Sequence, residues 1–269
     1  IQDRNGSYWV ATHDGIYRMA RNEPRPEHYY AEATSDHRIS SNLVYAVLED
    51  RDGLIWIGAI NGLDVVDPVK KEITHFRKGD RKDNSLSDNF ITCLCEDQNG
   101  DIWIGTNTCV NRYSKKEGKF RYYSQEQGLP SNLVYSILED KNQDLWFATG
   151  NGLCRFDRAG EKFRTYTVED GLQSPEFNIR ASFRSRDGEM FFGGMNGFNS
   201  FYPDSLRGNR HRPAIAITSL CKTARGAREY VNLEKGGPVV LGYLENAFTV
   251  EFSALEFTNP ARNCYAYML

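Results

Sequence analysis

The 269-residue chain has no apolar stretch longer than about six residues, far short of the roughly 20 that a membrane-spanning helix requires. It has no marked charge of one sign. A net charge of −3 and a pI near 6.0 leave no field that would recruit nucleic acid or an anionic membrane, so neither is expected as a partner of this region. A charged-then-apolar leader of the signal-peptide kind is absent. So is a 3.6-residue apolar period, which argues against helices. The cysteines (Cys93, Cys95, Cys109, Cys154, Cys221 and Cys264) show neither zinc-type CxxC pairing nor a disulfide framework. They read as packing residues, with Cys93 and Cys95 on one face of a strand. Unpaired thiols sit awkwardly with an oxidising compartment without excluding one. His13, His28, His37, His75 and His211 stand alone, without HExxH spacing, and no serine elbow occurs. No catalytic residue, metal ligand or cofactor is assigned, and the chain is not read as an enzyme.

What is present is repetition. Trp9, Trp56, Trp103 and Trp146 are all the tryptophans of the chain, and they occupy one column of five aligned segments, which Phe191 completes. The spacings are 47, 47, 43 and 45 residues, as expected of propeller blades of roughly 40–50 residues. Upstream of the column, Asn42 to Asp50 and Asn132 to Asp140 are near copies, and Asn89 to Asp97 is a looser one. Each reads as a half-buried strand followed by a polar turn. Downstream come Asn61-Gly62-Leu63, Asn151-Gly152-Leu153, Asn196-Gly197-Phe198 and Asp14-Gly15-Ile16, strong hairpin signals because both turn residues tolerate positive φ. A third strand and a fourth, such as Ile73-Thr74-His75-Phe76, complete the unit. Four short strands per unit make a blade.

The fold class is therefore all-β: about five four-stranded blades over residues 1–203, the first incomplete, a linker at 204–212, and the N-terminal part of an immunoglobulin-like β-sandwich over 213–269. Asn107-Thr108-Cys109 replaces the usual turn in the third unit, so that turn is expected to differ or to be strained. The first unit opens in the turn after its innermost strand, and the last segment, Cys264 to Leu269, reads as an unfinished strand. Both features lead to the expectation of a piece of a larger receptor. In the second domain, Ala214 to Leu220 and Ala247 to Leu255 alternate as strands, with Phe248, Val250 and Phe252 on one face.

Several chemistry-bearing patterns have plainer readings. The pairs Glu49-Asp50, Glu96-Asp97 and Glu139-Asp140 recur once per blade at a hairpin turn, which suits turn formation better than a glycosidase carboxylate pair. Asp97 to Asp101 resembles a calcium loop, but its twelfth position is Thr108 rather than glutamate. One tryptophan per repeat between apolar neighbours reads as packing between blades, although exposed aromatics also stack on sugars. The turn between strands two and three and the connection into the next strand one emerge on the same rim. This gathers Asn61, Asn107, Asn151 and Asn196 with Arg38, Asn42, Asn89, Asn132, Tyr135, Asn178 and Arg180 around one mouth. Polar groups beside aromatics at a concave mouth suit a hydroxyl-rich or anionic ligand. The alternative is that many of these asparagines simply shape turns.

The stretch Gly128 to Val134, Leu138-Glu139-Asp140, Leu145 to Thr149 and Asn151-Gly152-Leu153 resembles the two-component-regulator propeller repeat. Pro175 to Asn178, Phe192-Gly193-Gly194, Asn196-Gly197-Phe198 and Phe201-Tyr202-Pro203 resemble that family's last blade. Asn246 to Leu255, Pro260 and Tyr265-Ala266-Tyr267 resemble the opening of its triple-tyrosine (Y_Y_Y) domain. The resemblance implies the periplasmic sensor region of a Bacteroidetes hybrid two-component system. Such proteins carry two seven-bladed propellers, the triple-tyrosine domain, a membrane helix, and histidine kinase, receiver and DNA-binding parts. It further implies a homodimeric receptor that senses oligosaccharides and regulates polysaccharide-utilisation genes. The competing readings are a protein-interaction scaffold and a propeller enzyme acting on polysaccharide.

Overall fold

The computed structural model describes residues 1–255 except 22, 35, 81–83, 207–213, 225, 226, 232–239, 241, 244 and 246. The expected strand at Cys264 to Leu269, the motif residues Asn246, Pro260, Tyr265 and Tyr267, and His211 lie outside the described residues. Two compact units are present, Ile1–Leu206 and Arg207–Leu269.

The first unit is a run of five antiparallel sheets, a partial β-propeller. Blade 1 contains β1 (Tyr8–Thr12), β2 (Gly15–Met19) and β3 (Glu27–Tyr29). Blade 2 contains β4 (Val44–Glu49), β5 (Ile55–Ala59), β6 (Gly62–Asp67) and β7 (Glu72–Phe76). Blade 3 contains β8 (Ile91–Glu96), β9 (Ile102–Thr106), β10 (Val110–Ser114) and β11 (Lys119–Tyr123). Blade 4 contains β12 (Val134–Glu139), β13 (Leu145–Thr149), β14 (Gly152–Asp157) and β15 (Lys162–Tyr166). Blade 5 contains β16 (Phe177–Arg184), β17 (Met190–Gly194) and β18 (Gly197–Phe201). Among the described residues blade 5 has three strands, rather than the four expected of each blade. A short 3₁₀ turn, Pro203–Ser205, follows β18 where the other blades turn into an outer strand. Leu206 packs back onto the core between blades 4 and 5. In blade 1, Ile1 pairs with β1 as an inner-strand residue does, exchanging two backbone hydrogen bonds of 2.9 Å with Trp9.

The packing follows from strand alternation. On β5, Ile55 and Ile57 join the apolar cluster of Trp9 and Ile16 in blade 1. Trp56, between them, joins Ile91, Ile102 and Ile104 in blade 3. Both faces are covered, so the middle strands read as nearly continuous apolar runs. The tryptophan column is therefore interior: Trp9, Trp56, Trp103 and Trp146 are each at most 2% exposed, which leaves no ring face free to stack on a sugar. Blades approach closely where strand two carries a small residue. A Cβ on Gly58 would lie 2.5 Å from Ile91 Cγ2 of the next blade.

The acidic pairs are blade fasteners. Asp3, Asp50, Asp97 and Asp140 each accept the indole N–H of their own blade's tryptophan at 2.7–3.0 Å. Their second oxygens accept backbone N–H groups of the turn, for example Asp52 and Leu54 on Asp50 at 2.9 Å. The preceding glutamate reaches sideways instead. Glu96 accepts the Arg51 backbone N–H at 2.9 Å, and Glu139 that of Gln98 at 3.0 Å. Blade 5 departs at all three positions together, with Arg184, Ser185 and Phe191. A phenylalanine has no N–H to satisfy, so the buried carboxylate has lost its purpose there.

Only the glycine of each Asn-Gly turn has positive φ, Gly152 at 97° for instance; the asparagine before it does not. In blade 3 the turn differs without strain. Pairing ends at Gly105 with Val110, and the Thr106 hydroxyl donates to the Cys109 carbonyl at 2.7 Å.

The second unit contains β19 (Ile215–Ala224), β20 (Ala227–Tyr230) and β21 (Ala247–Ala254), ordered β20-β19-β21. The strands β19 and β21 fall where alternation places them. The short β20 was not legible. Among the described residues no helix is long and apolar enough to cross a membrane.

Candidate functional site

The inner strands β4, β8, β12 and β16 pack in succession, and the connections entering them form one rim together with the strand two–three turns. Backbone hydrogen bonds tie the two loop sets together. The Ile60 N–H donates to Leu43 at 3.2 Å, and the Gly150 N–H to Leu133 at 3.0 Å.

Three of the sequence candidates spend their side chains on this framework. The amide oxygens of Asn42, Asn89 and Asn132 accept the backbone N–H of Ala31, Lys78 and Gln125 at 2.7, 2.7 and 2.9 Å. Each closes the loop between an outer strand and the next inner strand, which is the turn-shaping alternative. Asn151 donates its amide to the Pro130 carbonyl at 3.5 Å, and Asn196 to the Gln173 carbonyl at 3.4 Å. Asn61, Asn107 and Asn178 are exposed on the rim. Arg38 is exposed, and its backbone bridges Tyr30.

Arg180 differs from all of these. The strand β16 pairs with β17 at Phe177 and resumes only at Ser182, so residues 178–181 form a bulge. Arg180 sits in it at φ 59°, a left-handed conformation that costs a non-glycine residue of order 1 kcal/mol or more. Its Nη1 donates to the Tyr45 carbonyl at 2.6 Å. Tyr45 lies on β4, so this contact links the innermost strands of blades 2 and 5 and places an exposed guanidinium at the mouth. No carboxylate pairs with it among the described residues.

Aromatic groups surround the same rim. Tyr45 meets Phe90 edge to face, with ring centroids 5.0 Å apart. Tyr135 occupies in blade 4 the position of Tyr45 in blade 2 and is half-buried. Burial, and then the charge of Glu176, pushes its hydroxyl above the ordinary tyrosine value. Between blades 4 and 5 the rim holds a cleft of about 160 Å³ lined by Asn151, Thr167, Glu169 and Pro175 among others. Sequence reasoning missed Tyr45, Phe90 and Gln173, although Tyr45 shares the column of Tyr135.

The chemistry on offer is recognition: amides, a guanidinium and phenols around aromatic rings. Among the described residues no group of three or more His, Cys, Asp and Glu side chains is arranged to hold a metal ion.

The profile of the two-component-regulator propeller matches residues 38–61, 85–108 and 128–151, three successive copies of inner strand, turn and second strand. No curated protein matches. The extracellular domain of the hybrid two-component system BT3049 of B. thetaiotaomicron superposes at a TM-score of 0.82 with 21% identity, over 97% of this chain and 35% of that one. That of the system BT4673 of the same organism gives 0.52 with 18% identity, over 94% and 45%. Virginiamycin B lyase of Staphylococcus aureus gives 0.54 with 16% identity, over 86% and 82%. These likenesses establish a shared fold, and the chain spans about a third of the length of the first. Residues 38–61, 85–108 and 128–151 thus match the two-component-regulator propeller repeat, within a propeller fold similar to that of extracellular domains of hybrid two-component systems.

Proposed function

We propose that this chain is part of the extracytoplasmic, periplasmic ligand-sensing region of a hybrid two-component system, and that the rim mouth takes an oligosaccharide. The observation that carries the reading is Arg180, held in a left-handed bulge with its guanidinium at a mouth flanked by Tyr45, Phe90 and Tyr135. Strain at one exposed polar residue beside half-buried aromatics is typical of a ligand clamp. The propeller repeats support the sensor context. On this reading, binding shifts the packing of the blades and of the triple-tyrosine domain. A homodimer of the full receptor passes that shift across the membrane to a histidine kinase and so to genes for polysaccharide use.

Calorimetric titration of the full chain with neutral and acidic hexasaccharides tests this, with product analysis of the same mixtures. Binding without turnover that weakens at least tenfold in Arg180→Gln is the expected result. Product formation would replace the sensor with a polysaccharide-acting enzyme. Silence toward every glycan would favour the scaffold.

A further inference from the structure

Arginines on the strands of blades 1 to 4 have their charge met within the chain. Arg18 is paired with Glu27 at 2.9 Å, Arg112 with Asp101 at 2.7 Å, Arg121 with Glu161 at 2.7 Å and Arg155 with Asp144 at 2.9 Å. Arg164 lies over the Tyr166 ring at 5.0 Å. The two arginines of β16 differ. Arg180 and Arg184 meet no carboxylate among the described residues, and each gives Nη1 to a neutral backbone carbonyl instead, Arg180 to that of Tyr45 and Arg184 to that of Glu139. Arg184 stands at the far end of the strand, beside the β16–β17 turn, so the unmatched charge at the mouth is that of Arg180.

The unused part of this guanidinium has a defined shape. In blades 3 and 4 the carboxylates of Asp101 and Asp144 take Nε and Nη2 of Arg112 and Arg155 together. The bond to Tyr45 through Nη1 leaves the same Nε–Nη2 edge of Arg180 open, and nothing among the described residues occupies it. Two parallel N–H donors match the two oxygens of a carboxylate. Water alone would satisfy an exposed arginine, and would need no special backbone to do so. Arg180 is nevertheless held at φ 59° in a bulge and tied across to β4. Such a tie fixes the donor edge in advance, so less side-chain freedom is lost when an anion arrives.

The neighbouring charges limit what kind of anion fits. Arg38 is exposed on the same rim. So are Glu32, which accepts the Asn42 amide at 3.0 Å, and Glu176, whose charge acts on Tyr135. A densely charged polyanion meets like charge at these glutamates, whereas one carboxylate lying on the Arg180 edge gains a hydrogen-bonded ion pair.

We infer that the mouth recognises a uronic acid unit of its oligosaccharide, with the sugar carboxylate bidentate on the Nε–Nη2 edge of Arg180. The inference rests on the oligosaccharide reading of the mouth and adds the acid to it.

The test compares acids with their own esters. The full chain is titrated calorimetrically with xylotetraose bearing one glucuronic acid, and with cellotetraose and mannotetraose each oxidised to carry one uronic acid. The methyl ester of each acid keeps every ring and removes only the charge. The acid that binds should do so about tenfold more tightly than its ester, or better, the worth of one charge-assisted fork. That preference should vanish in Arg180→Gln and shrink in Arg180→Lys, which keeps the charge without the fork. An acid bound no better than its ester or its neutral parent overturns the inference, and this comparison requires no variant to fold. If such undiscriminating binding is lost in Arg180→Gln, the sensor reading survives without the acid. Silence toward acids, esters and neutral tetrasaccharides alike removes both. Persulfated cellotetraose or hexaglutamate binding as tightly as the uronide would also overturn the uronic acid, in favour of any anion or of an acidic peptide.

Discussion

The tryptophan–aspartate fastener is open to a quantitative test in blade 4, because blade 5 supplies its natural counterpart. Asp140 is 1% exposed. It accepts the Trp146 indole N–H at 3.0 Å and the Asn142 and Asp144 backbone N–H groups at 2.8 and 3.0 Å. Asp140→Ser strands a buried indole donor and weakens two charge-assisted turn bonds. At about 1–3 kcal/mol for an orphaned donor, the total is about 3 kcal/mol. Trp146→Phe removes ring area and leaves the carboxylate one donor short, again about 2–3 kcal/mol. The double variant recreates the Ser185–Phe191 pairing of blade 5. It removes the shared bond only once and strands neither partner, so its cost should fall short of the sum by about 2 kcal/mol. Urea unfolding of the four proteins at 25 °C, fitted with a common m-value, reads the coupling directly. Simple additivity, with coupling under about 0.5 kcal/mol, would refute the claim that the two positions are chosen as a pair.

Burial pushes the thiols of Cys93, Cys95 and Cys154 up to about 12, so at pH 8 they are thiols rather than the reactive thiolates. Ellman's reagent should leave all three unmodified in the native chain and react fully in guanidinium; fast native labelling mapped to Cys93 would contradict the inter-blade burial. Lys115→Met should destabilise the chain by about 1–2 kcal/mol, a buried-pair loss discounted for partial exposure. Burial alone would lower the Lys115 value, but hydrogen bonds to Asp52, Glu96 and Asp50 outweigh it and hold the value above 10.5. The same contact holds Asp52 below 3.8. The lysine's contribution is therefore complete below its ordinary value and fades as pH rises through the raised one. The aspartate's is complete above its ordinary value and fades as pH falls through the lowered one. The stability gap between parent and variant, followed by thermal melts, should be flat from about pH 5 to 9 and narrow outside it. A gap that varies within that window would disprove the assignment.

The blades were legible because the same physical demand recurs, most fully in blades 2, 3 and 4, whose middle strands are buried throughout. A strand buried on both faces needs apolar residues along nearly its whole length, and Ile55 to Ala59 and Leu145 to Ala148 show that in the letters alone. The acidic pairs were correctly placed at turns, but their partners were hidden. That Asp50 serves Trp56, six residues on, while Glu96 serves Arg51 of another blade, depends on how sheets stack, which spacing does not encode. The same limit explains the last blade. In the letters of Phe201 to Ser205 only Pro203 speaks against a strand, and the 3₁₀ turn shows itself once Leu206 is seen folding back onto the core.

The rim shows the opposite pattern, and a different kind of signal follows from it. Asn42, Asn89 and Asn132 repeat because the loop needs a side-chain carbonyl at that point, so repetition itself marks them as framework. Whatever is specific to this chain must instead sit where one unit departs from its siblings. Arg180 is such a departure: the inner strands of blades 2, 3 and 4 each slip by one residue, at Tyr45, Thr92 and Tyr135, whereas blade 5 carries a longer bulge with Arg180 at positive φ. Leu54 and Val65 are another, two apolar residues where blades 3 and 4 carry an ion pair. In a repeat protein the neighbouring copies act as an internal control for structural need. Leu54 and Val65 replace that ion pair and still keep Trp56 at 2% exposed, so the fold absorbs this departure, whereas Arg180 carries a left-handed backbone that the sheet itself does not require.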